Sequence, residues 1–208
     1  GSGHSAGPLG MADVFATLYF HSLKHNPKEP EWEERDRLVL SNGHIVPVRY
    51  ATMAHAGYFP VSECLTLRKF GSRLQGHPER ERLPGMETTS GPLGSGLSQA
   101  SGMAYALKMN GTTQRVFCLM SDGEQQEGNT WEGAMFAGKN RLDNLTAIMD
   151  RNNIQIDGRT EDVMPLDPLA DKYRAINFHV LEVDGHNVDA IADAIDEARA
   201  IHDQPTLI

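Results

Sequence analysis

The segment MSDGEQQEG at positions 120–128 and the segment RNNI at positions 151–154 each follow a short apolar run. The runs are VFCLM at 116–120 and LTAIM at 145–149, and each has the length of one buried parallel strand. Between them, residues 130–141 place tryptophan, methionine and small side chains on one helical face. The pattern predicts a strand, a crossover helix and a second parallel strand, joined in the right-handed sense that such units adopt.

Oxygen-bearing side chains are expected at the carboxyl ends of both strands, which is the edge at which open α/β sheets bind ligands. Asp122 supplies a carboxylate and Asn152 an amide oxygen, and a main-chain carbonyl lies nearby. Such an all-oxygen set suits Mg²⁺ or Ca²⁺ rather than zinc. Because Mg²⁺ completes its coordination with phosphate oxygens and water, we infer a bound diphosphate, which the backbone at Gly123 could approach closely. Either segment alone would be an ordinary turn after a strand, but their pairing favours the cation site.

The composition describes a globular chain without a nucleic-acid or membrane partner. With 208 residues, residues 1–208 can form a single large α/β domain. The formal charge of −9 argues against binding to nucleic acid or an anionic membrane, and no apolar run reaches the roughly twenty residues of a membrane span. The two cysteines have no metal or redox spacing, and Cys118 lies in a predicted buried strand, so we expect a reducing, cytoplasmic setting. Both ends are expected to be truncated, because the chain begins inside a glycine-rich loop and stops as a strand begins.

Strands and helices alternate along the rest of the chain, which predicts a mainly parallel, doubly wound α/β sheet with helices on both faces. Residues 71–91 form a long segment without a periodic pattern, which is typical of a functional or disordered loop. Helices are predicted at about 9–25, from the cap SNGH at 41–44 to 56, from 60 onwards, and at 97–109, 168–176 and 188–201. Strands are predicted at 38–40, at 178–183 and from 205.

His4, His44 and His77 each lie in a glycine-containing loop. A single histidine is more often a structural group, but three in separate loops of one predicted sheet edge favour contact with a substrate. Two glycine-rich segments, GSGHSA at 1–6 and GSGLSQ at 94–99, come close to a dinucleotide fingerprint. No strand is predicted before the first, and Gln99 stands where the second needs glycine, so a nicotinamide-dependent oxidoreductase is a weaker alternative.

Asp122-Gly123 followed by Asn152 resembles the thiamine diphosphate motif, with Ser121 in place of its usual first glycine. Together with GH at 3–4, LSNGH at 40–44, GHP at 76–78, ETTSGPLG at 87–94 and DGEQQEG at 122–128, it makes nearly the whole chain resemble the N-terminal, diphosphate-binding half of transketolase. SNGH and TTxGPLG are specific to that family. The deoxyxylulose-phosphate synthases share the metal motif but usually lack this pair.

The resemblance implies a role for each matching residue. The metal ligands would be Asp122, Asn152 and the carbonyl of Ile154, with Gly123 on the diphosphate. Gly91 and Leu93 would contact the aminopyrimidine, and Ile154 and Ile156 would pack near the rings of the cofactor. The catalytic residues would be His4, His44 and His77, which would contact sugar hydroxyls or the diphosphate. Glu127 and Glu132 would lie at a subunit interface, in a hydrogen-bond network between paired active sites; the alternative for both is a first-turn glutamate that favours a helix N-terminus.

The resemblance also implies a function. The chain would be the N-terminal subunit of a split transketolase, or a fragment of a fused one, that uses thiamine diphosphate and Mg²⁺ (or Ca²⁺). It would transfer a two-carbon ketol unit from a ketose phosphate to an aldose phosphate, as in the pentose phosphate pathway. The pyrimidine-binding and C-terminal domains are absent, so a complementary subunit would supply them, with a homodimer core forming a heterotetramer. Alternatives are a non-catalytic cofactor-binding module or another thiamine diphosphate enzyme such as a deoxyxylulose-phosphate synthase.

Overall fold

The structure is a computed structural model that describes residues 3–208, so the first two residues of the GSGHSA loop lie outside the described part. Its strands are β1 (Arg37–Leu40), β2 (Val116–Ser121), β3 (Leu145–Asp150), β4 (Ile154–Gln155), β5 (Gly158–Arg159), β6 (His179–Val180) and β7 (Thr206–Leu207). Five of them form one sheet in the order β1-β2-β3-β7-β6, and each neighbouring pair runs parallel. The strands β4 and β5 form a separate antiparallel hairpin.

Helices lie between the strands. The α-helices are α1 (Ala6–Gly10), α2 (Ala12–Thr17), α3 (Val46–Ala56), α4 (Gly96–Met109), α5 (Gly128–Lys139), α6 (Thr160–Val163), α7 (Leu169–Ala175) and α8 (Val188–Ala200). A π-helical turn covers Leu18–Ser22, and 3₁₀ turns cover Gly43–Ile45, Val61–Thr66 and Gly123–Gln126. In the part of the chain that the structure describes, no helix has the length and apolar character needed to cross a membrane.

The predicted strand–helix–strand unit is confirmed. The strands β2 and β3 pair in parallel over six residues, from Val116 opposite Leu145 to Ser121 opposite Asp150. The helix α5 joins them and begins two residues earlier than predicted. Asp122 therefore directly follows one strand, and Asn152 follows the adjacent strand by two residues.

Both faces of the sheet are covered, which confirms the doubly wound α/β architecture. In β2, Phe117 and Leu119 pack towards α2, α3 and α8 on one face. Cys118 and Met120 pack towards α4, α5 and α7 on the other face. Every residue of β2 is buried, which explains the continuous apolar run, and burial raises the pKa of the Cys118 thiol well above its ordinary value.

The helix predicted at 9–25 is wrong in its length and continuity. It begins earlier, at Ala6, is interrupted at Met11, and ends in the π-helical turn at Ser22. Leu23 is extended, and the main-chain N–H of Lys24 donates to the carboxylate of Asp36 at 3.0 Å. This long-range hydrogen bond ends the helix, and the local sequence pattern gives no sign of it.

Three other predictions also need correction. The segment after Pro60, predicted as a helix, forms only the short 3₁₀ turn at Val61–Thr66. The strand predicted at 178–183 has two residues, because its neighbour β7 is equally short. Ser41 does not cap the next helix: its hydroxyl donates to Glu124, and a 3₁₀ turn precedes α3.

The segment from 67 to 95, all within the described residues, is without helix or strand, as predicted for 71–91. It is nevertheless tied to the body of the protein. Leu74, Leu83 and Met86 are buried in the core, and the carboxylate of Glu87 forms a buried ion pair with Arg35. The structure therefore argues against the disordered alternative for this segment.

Candidate functional site

A cavity of about 1320 Å³ opens at the carboxyl ends of β3, β6 and β7. It lies on the side of the sheet where ligands of open α/β folds bind. The predicted site residues that line it are His4, His44, Asn152, Ile154 and Ile156. The predicted residues that lie outside its lining are His77, Gly91, Leu93, Asp122, Gly123, Glu127 and Glu132.

The three histidines come together, as the sequence predicts. The ring of His4 lies 5.0 Å from that of His44 and 6.3 Å from that of His77, measured between ring centroids. Burial, followed by repulsion from the other two imidazoles, lowers the pKa of His44 to about 4. Burial, His4 and Arg68 lower the pKa of His77 in the same direction. His44 and His77 are therefore neutral at pH 7, and a neutral imidazole can both donate and accept a hydrogen bond.

The Asp122 carboxylate is fully buried and joins the ends of the two central strands. One oxygen, Oδ1, accepts from the main-chain N–H of Gly123 at 2.8 Å. The other, Oδ2, accepts from the N–H of Asn153 at 2.6 Å and from the guanidinium of Arg151 at 3.0 Å. The predicted proximity of position 122 to the loop at 152–154 is confirmed by these contacts.

The loop after β3 is shaped by Asn152. Its amide oxygen accepts from the N–H of Ile154 at 2.9 Å, and its amide nitrogen donates to Asp150 at 2.9 Å. Asn153 then adopts a left-handed conformation, with φ of 65°, which asparagine tolerates better than most residues. The loop thus presents Ile154 and Ile156 to the cavity with 68% and 97% of their surfaces exposed.

This donor set fits a hard cation beside a diphosphate. A buried carboxylate follows one strand and an amide oxygen follows the adjacent strand, and both are ligands that Mg²⁺ and Ca²⁺ accept. Among the described residues, no three histidine, cysteine, aspartate or glutamate side chains are placed to hold a metal. A cation here would therefore depend on neutral oxygens such as those of Asn152 and Ile154. Burial and the Asp122 charge also raise the pKa of Asp150, a neighbouring carboxylate that the sequence pattern did not single out.

Glu124 is a second fully buried carboxylate, and sequence reasoning missed its role. Its oxygens accept from the hydroxyl of Ser41 at 2.7 Å, the N–H of Gly94 at 2.8 Å and the N–H of Ser121 at 2.9 Å. Burial raises the pKa of Glu124, and these hydrogen bonds oppose that shift. The carboxylate links the end of β1, the GPLG loop and the end of β2. The only signal in the sequence was its position two residues after Asp122.

The SNGH and GPLG motifs pack directly against each other. The N–H of Gly96 donates to the Ser41 hydroxyl at 3.1 Å, and a Cβ at Gly96 would lie 2.5 Å from the Cα of Ser41. A Cβ at Gly43 would lie 2.4 Å from the hydroxyl of Ser90. Gly43 and Gly96 thus allow the SNGH segment to pack closely against the GPLG loop and the start of α4.

Gly91 and Leu93 lie in this packed loop and are half-buried. A Cβ at Gly91 would lie 3.9 Å from the ring of His77, so the loop adjoins the histidines. Gly94 has a φ of +81°, and a Cβ there would lie 2.7 Å from the Cβ of Glu127. The loop therefore lies between the histidines and the start of α5.

Glu127 and Glu132 are exposed at the start of α5. Glu127 precedes the helix as its N-cap residue but makes no side-chain capping bond, and the first turn contains no acidic residue. The alternative that both are first-turn glutamates is therefore wrong.

The chain is similar to known proteins in both sequence and fold. The family model described as "Transketolase, thiamine diphosphate binding domain" matches residues 1–208. The 6-deoxy-6-sulfo-D-fructose transketolase subunit SqwG of a Clostridium species is 46% identical over the whole chain, which covers 76% of that subunit. An apulose-4-phosphate transketolase subunit of Phocaeicola vulgatus is 43% identical over 91% of the chain and 67% of that protein. The solved structure of transketolase from Leishmania mexicana superposes with a TM-score of 0.93 at 35% identity, and the whole chain covers 33% of it.

Proposed function

The chain belongs to the transketolase family, whose N-terminal, thiamine diphosphate-binding domain it carries, and from this premise we propose that it is the N-terminal subunit of a split transketolase. With a complementary subunit it transfers a two-carbon ketol unit from a ketose phosphate to an aldose phosphate. The observation that carries this proposal is the buried Asp122 carboxylate, which holds the loop after β3 through the N–H of Asn153. That contact supports the proposal that oxygens from two adjacent strand ends share one cation.

The cofactor and its cation would be held at these strand ends. Asp122, Asn152 and the carbonyl of Ile154 would ligate Mg²⁺ (or Ca²⁺), and the main chain at Gly123 would contact the diphosphate. When bound, thiamine diphosphate supplies a nucleophilic thiazolium carbon that accepts and releases the two-carbon unit. The protein supplies the position of the cofactor and the charges around it.

The rings of the cofactor would contact apolar and glycine positions. Ile154 and Ile156 are exposed in the cavity, where an apolar ring would cover them. Gly91 and Leu93 would contact the aminopyrimidine, and their loop is fixed by the hydrogen bond from Gly94 to Glu124. Burial of such side chains on binding is favourable by about 25 cal/mol per Å² of apolar surface.

The three histidines would form hydrogen bonds with the sugar substrate. The neutral rings of His44 and His77, beside His4, can donate to a carbonyl or alkoxide oxygen and accept from a hydroxyl. A donor of this kind is worth about 2.7–4 kcal/mol of transition-state stabilisation. We therefore expect a histidine variant such as His77→Ala to lose roughly 10²–10³-fold in turnover while cofactor binding changes less.

A complementary subunit would complete the site. The relatives from Clostridium and Phocaeicola are themselves called subunits, and the chain spans about three quarters of one and two thirds of the other. The partner would carry the pyrimidine-binding and C-terminal domains. We propose a homodimer core of this chain, with exposed Glu127 and Glu132 at its interface, that binds two partners in the cytoplasm. The relatives are named for different ketoses, so the proposal extends to the class of sugar and not to one donor.

A two-chain assay tests the proposal. The chain is mixed with a complementary subunit, thiamine diphosphate and Mg²⁺, and ketose–aldose exchange is measured with several ketose phosphates and ketose sulfonates. Exchange that needs both chains and is lost in Asp122→Asn is the expected result. Calorimetry on the same samples separates the alternatives: cofactor binding without turnover under any pairing would indicate a non-catalytic binding module, and no binding of the cofactor would overturn the proposal.

A further inference from the structure

Arg151 lies directly before Asn152, lines the same cavity, and has no place in the function proposed above. Its side chain is 28% exposed, and its guanidinium bonds four other side chains. Those contacts are Nη1 to Asp122 Oδ2 at 3.0 Å and to Thr160 Oγ1 at 2.8 Å, and Nη2 to Glu161 Oε1 at 2.9 Å and to Asp167 Oδ1 at 3.3 Å.

The contact with Asp122 places a positive charge on a carboxylate that is expected to bind a divalent cation. Two cations that share one oxygen repel each other, and the repulsion is strong because Asp122 is buried, where water screens little. Asp122 Oδ2 already accepts from Asn153, so few directions remain for a third partner. A metal that binds this oxygen would therefore compete with Arg151 for it.

The other terminal nitrogen of the guanidinium, Nη2, binds carboxylates other than that of Asp122. Glu161 and Asp167 both hold Nη2, so the side chain can give up Asp122 and keep its other acidic partners. Because Arg151 lines the cavity, its displaced charge stays close to any diphosphate bound there. A diphosphate would lower the free energy of the displaced state, whereas a metal ion alone would not.

We propose that Arg151 is a tethered counter-ion that occupies Asp122 until the metal arrives together with the diphosphate. It weakens the binding of the divalent ion alone and couples the binding of the ion to that of the cofactor. The inference rests on the proposed function, because it takes Asp122 as a metal ligand. By thermodynamic linkage, the factor by which the cofactor raises the affinity for the metal equals the factor by which the metal raises the affinity for the cofactor.

The experiment measures Mn²⁺ affinity by electron paramagnetic resonance, with and without saturating thiamine diphosphate. In the wild-type chain, the cofactor should raise Mn²⁺ affinity strongly. In Arg151→Gln, Mn²⁺ should bind roughly tenfold more tightly without cofactor, and the coupling between the two ligands should fall by a similar factor, within the range usual for such couplings. Arg151→Lys, which keeps the charge, should stay closer to the wild type.

Arg73→Gln is the matched control, because Arg73 also bonds a carboxylate, that of Glu63, at 2.6 Å and lies outside the site. It should leave both affinities unchanged. The inference would be overturned if Arg151→Gln, shown to be folded by a thermal midpoint close to that of the wild type, bound Mn²⁺ no more tightly than the wild type. Weaker binding would mean that Arg151 has only a structural role. A wild-type chain that binds Mn²⁺ neither alone nor with cofactor would overturn the proposed function itself.

Discussion

The strand ends and the histidine loops are the two halves of the candidate site, and they are built by different means. At the strand ends, the buried carboxylates of Asp122 and Glu124 accept hydrogen bonds from main-chain N–H groups on neighbouring segments. The Asp122 carboxylate is thus held in place where a cation would need it. At the loops, His4, His44 and His77 meet ring to ring.

The contrast matches the chemistry expected of each half. A metal ion needs ligands that do not move, and a rigid sheet edge provides them. Sugar hydroxyls need donors and acceptors of low charge, and the imidazoles of His44 and His77, whose pKa values are lowered, provide these. The two halves meet at the GPLG loop, which bonds Glu124 through Gly94 and adjoins His77 through Gly91.

Removing the link between the halves should have the largest effect on stability. In Glu124→Ala, the Ser41 hydroxyl and the N–H groups of Gly94 and Ser121 lose their acceptor inside the protein. Because each buried unsatisfied group costs about 1–3 kcal/mol, the free energy of unfolding should fall by at least about 3 kcal/mol. Urea unfolding followed by circular dichroism measures it.

The matched control is Glu132→Ala, because Glu132 is exposed on α5. It should change the free energy of unfolding by less than about 0.5 kcal/mol. If Glu124→Ala lowered the free energy of unfolding by no more than the control does, the end of β1, the GPLG loop and the end of β2 would hold their positions without the carboxylate.

Distorting the GPLG loop should have the next largest effect. Gly94→Ala adds a Cβ 2.7 Å from the Cβ of Glu127 at a φ of +81°, so both crowding and backbone strain oppose it. We expect a loss of about 2 kcal/mol in the free energy of unfolding. Gly102→Ala is the control: nothing lies within 4 Å of its added Cβ inside α4, so it should stabilise the protein by up to about 1 kcal/mol. Equal effects of the two substitutions would remove the steric explanation.

The histidine half should make the free energy of unfolding depend on pH. The pKa of His44 is about 4 in the folded protein, below its ordinary value of 6.5. The unfolded chain therefore binds a proton before the folded one does, so stability is lost as the pH falls from 6.5 to 4. In His44→Asn, this loss should be smaller by roughly 1–2 kcal/mol, with allowance for the partial exposure of the ring.

Urea unfolding at pH 7 and at pH 4.5 gives the comparison for His44. Burial also raises the pKa values of Asp150 and Glu124, but both groups are present in both proteins and cancel in the difference. Parallel pH profiles of the wild type and His44→Asn would show that the ring is not kept neutral by its surroundings.

The sequence predicts the central unit well and the supporting contacts poorly. The apolar runs of β2 and β3 are visible because strands buried on both faces are continuously apolar, and their ends then place Asp122 near Asn152. Glu124 was missed because a glutamate beside a turn looks exposed until its partners on distant segments are known. The role of Arg151 is not visible in the sequence, because its partner Asp122 is 29 residues away.

The same limit explains the errors in secondary structure. The helix predicted at 9–25 ends early because Asp36 takes the N–H of Lys24, a contact over 12 residues. The predicted strand at 178–183 is cut to two residues by the length of β7. Local periodicity reports which face of an element is apolar, but long-range hydrogen bonds and strand neighbours decide where the element ends.

The smallest effect on stability, and the sharpest separation of binding from folding, is expected at Ile156. Its side chain is 97% exposed, so Ile156→Ser should change the free energy of unfolding by less than about 0.5 kcal/mol. If Ile156 packs on a cofactor ring, the same substitution removes part of the roughly 1.5–3 kcal/mol that burying such a side chain provides, which weakens thiamine diphosphate binding by about tenfold. Calorimetric titration in the presence of Mg²⁺ measures the dissociation constant. Val61→Ser, at an exposed apolar residue outside the cavity lining, is the control and should leave it unchanged. An unchanged dissociation constant in Ile156→Ser would place the cofactor rings elsewhere in the cavity, while the strand-end contacts of Asp122 would still stand.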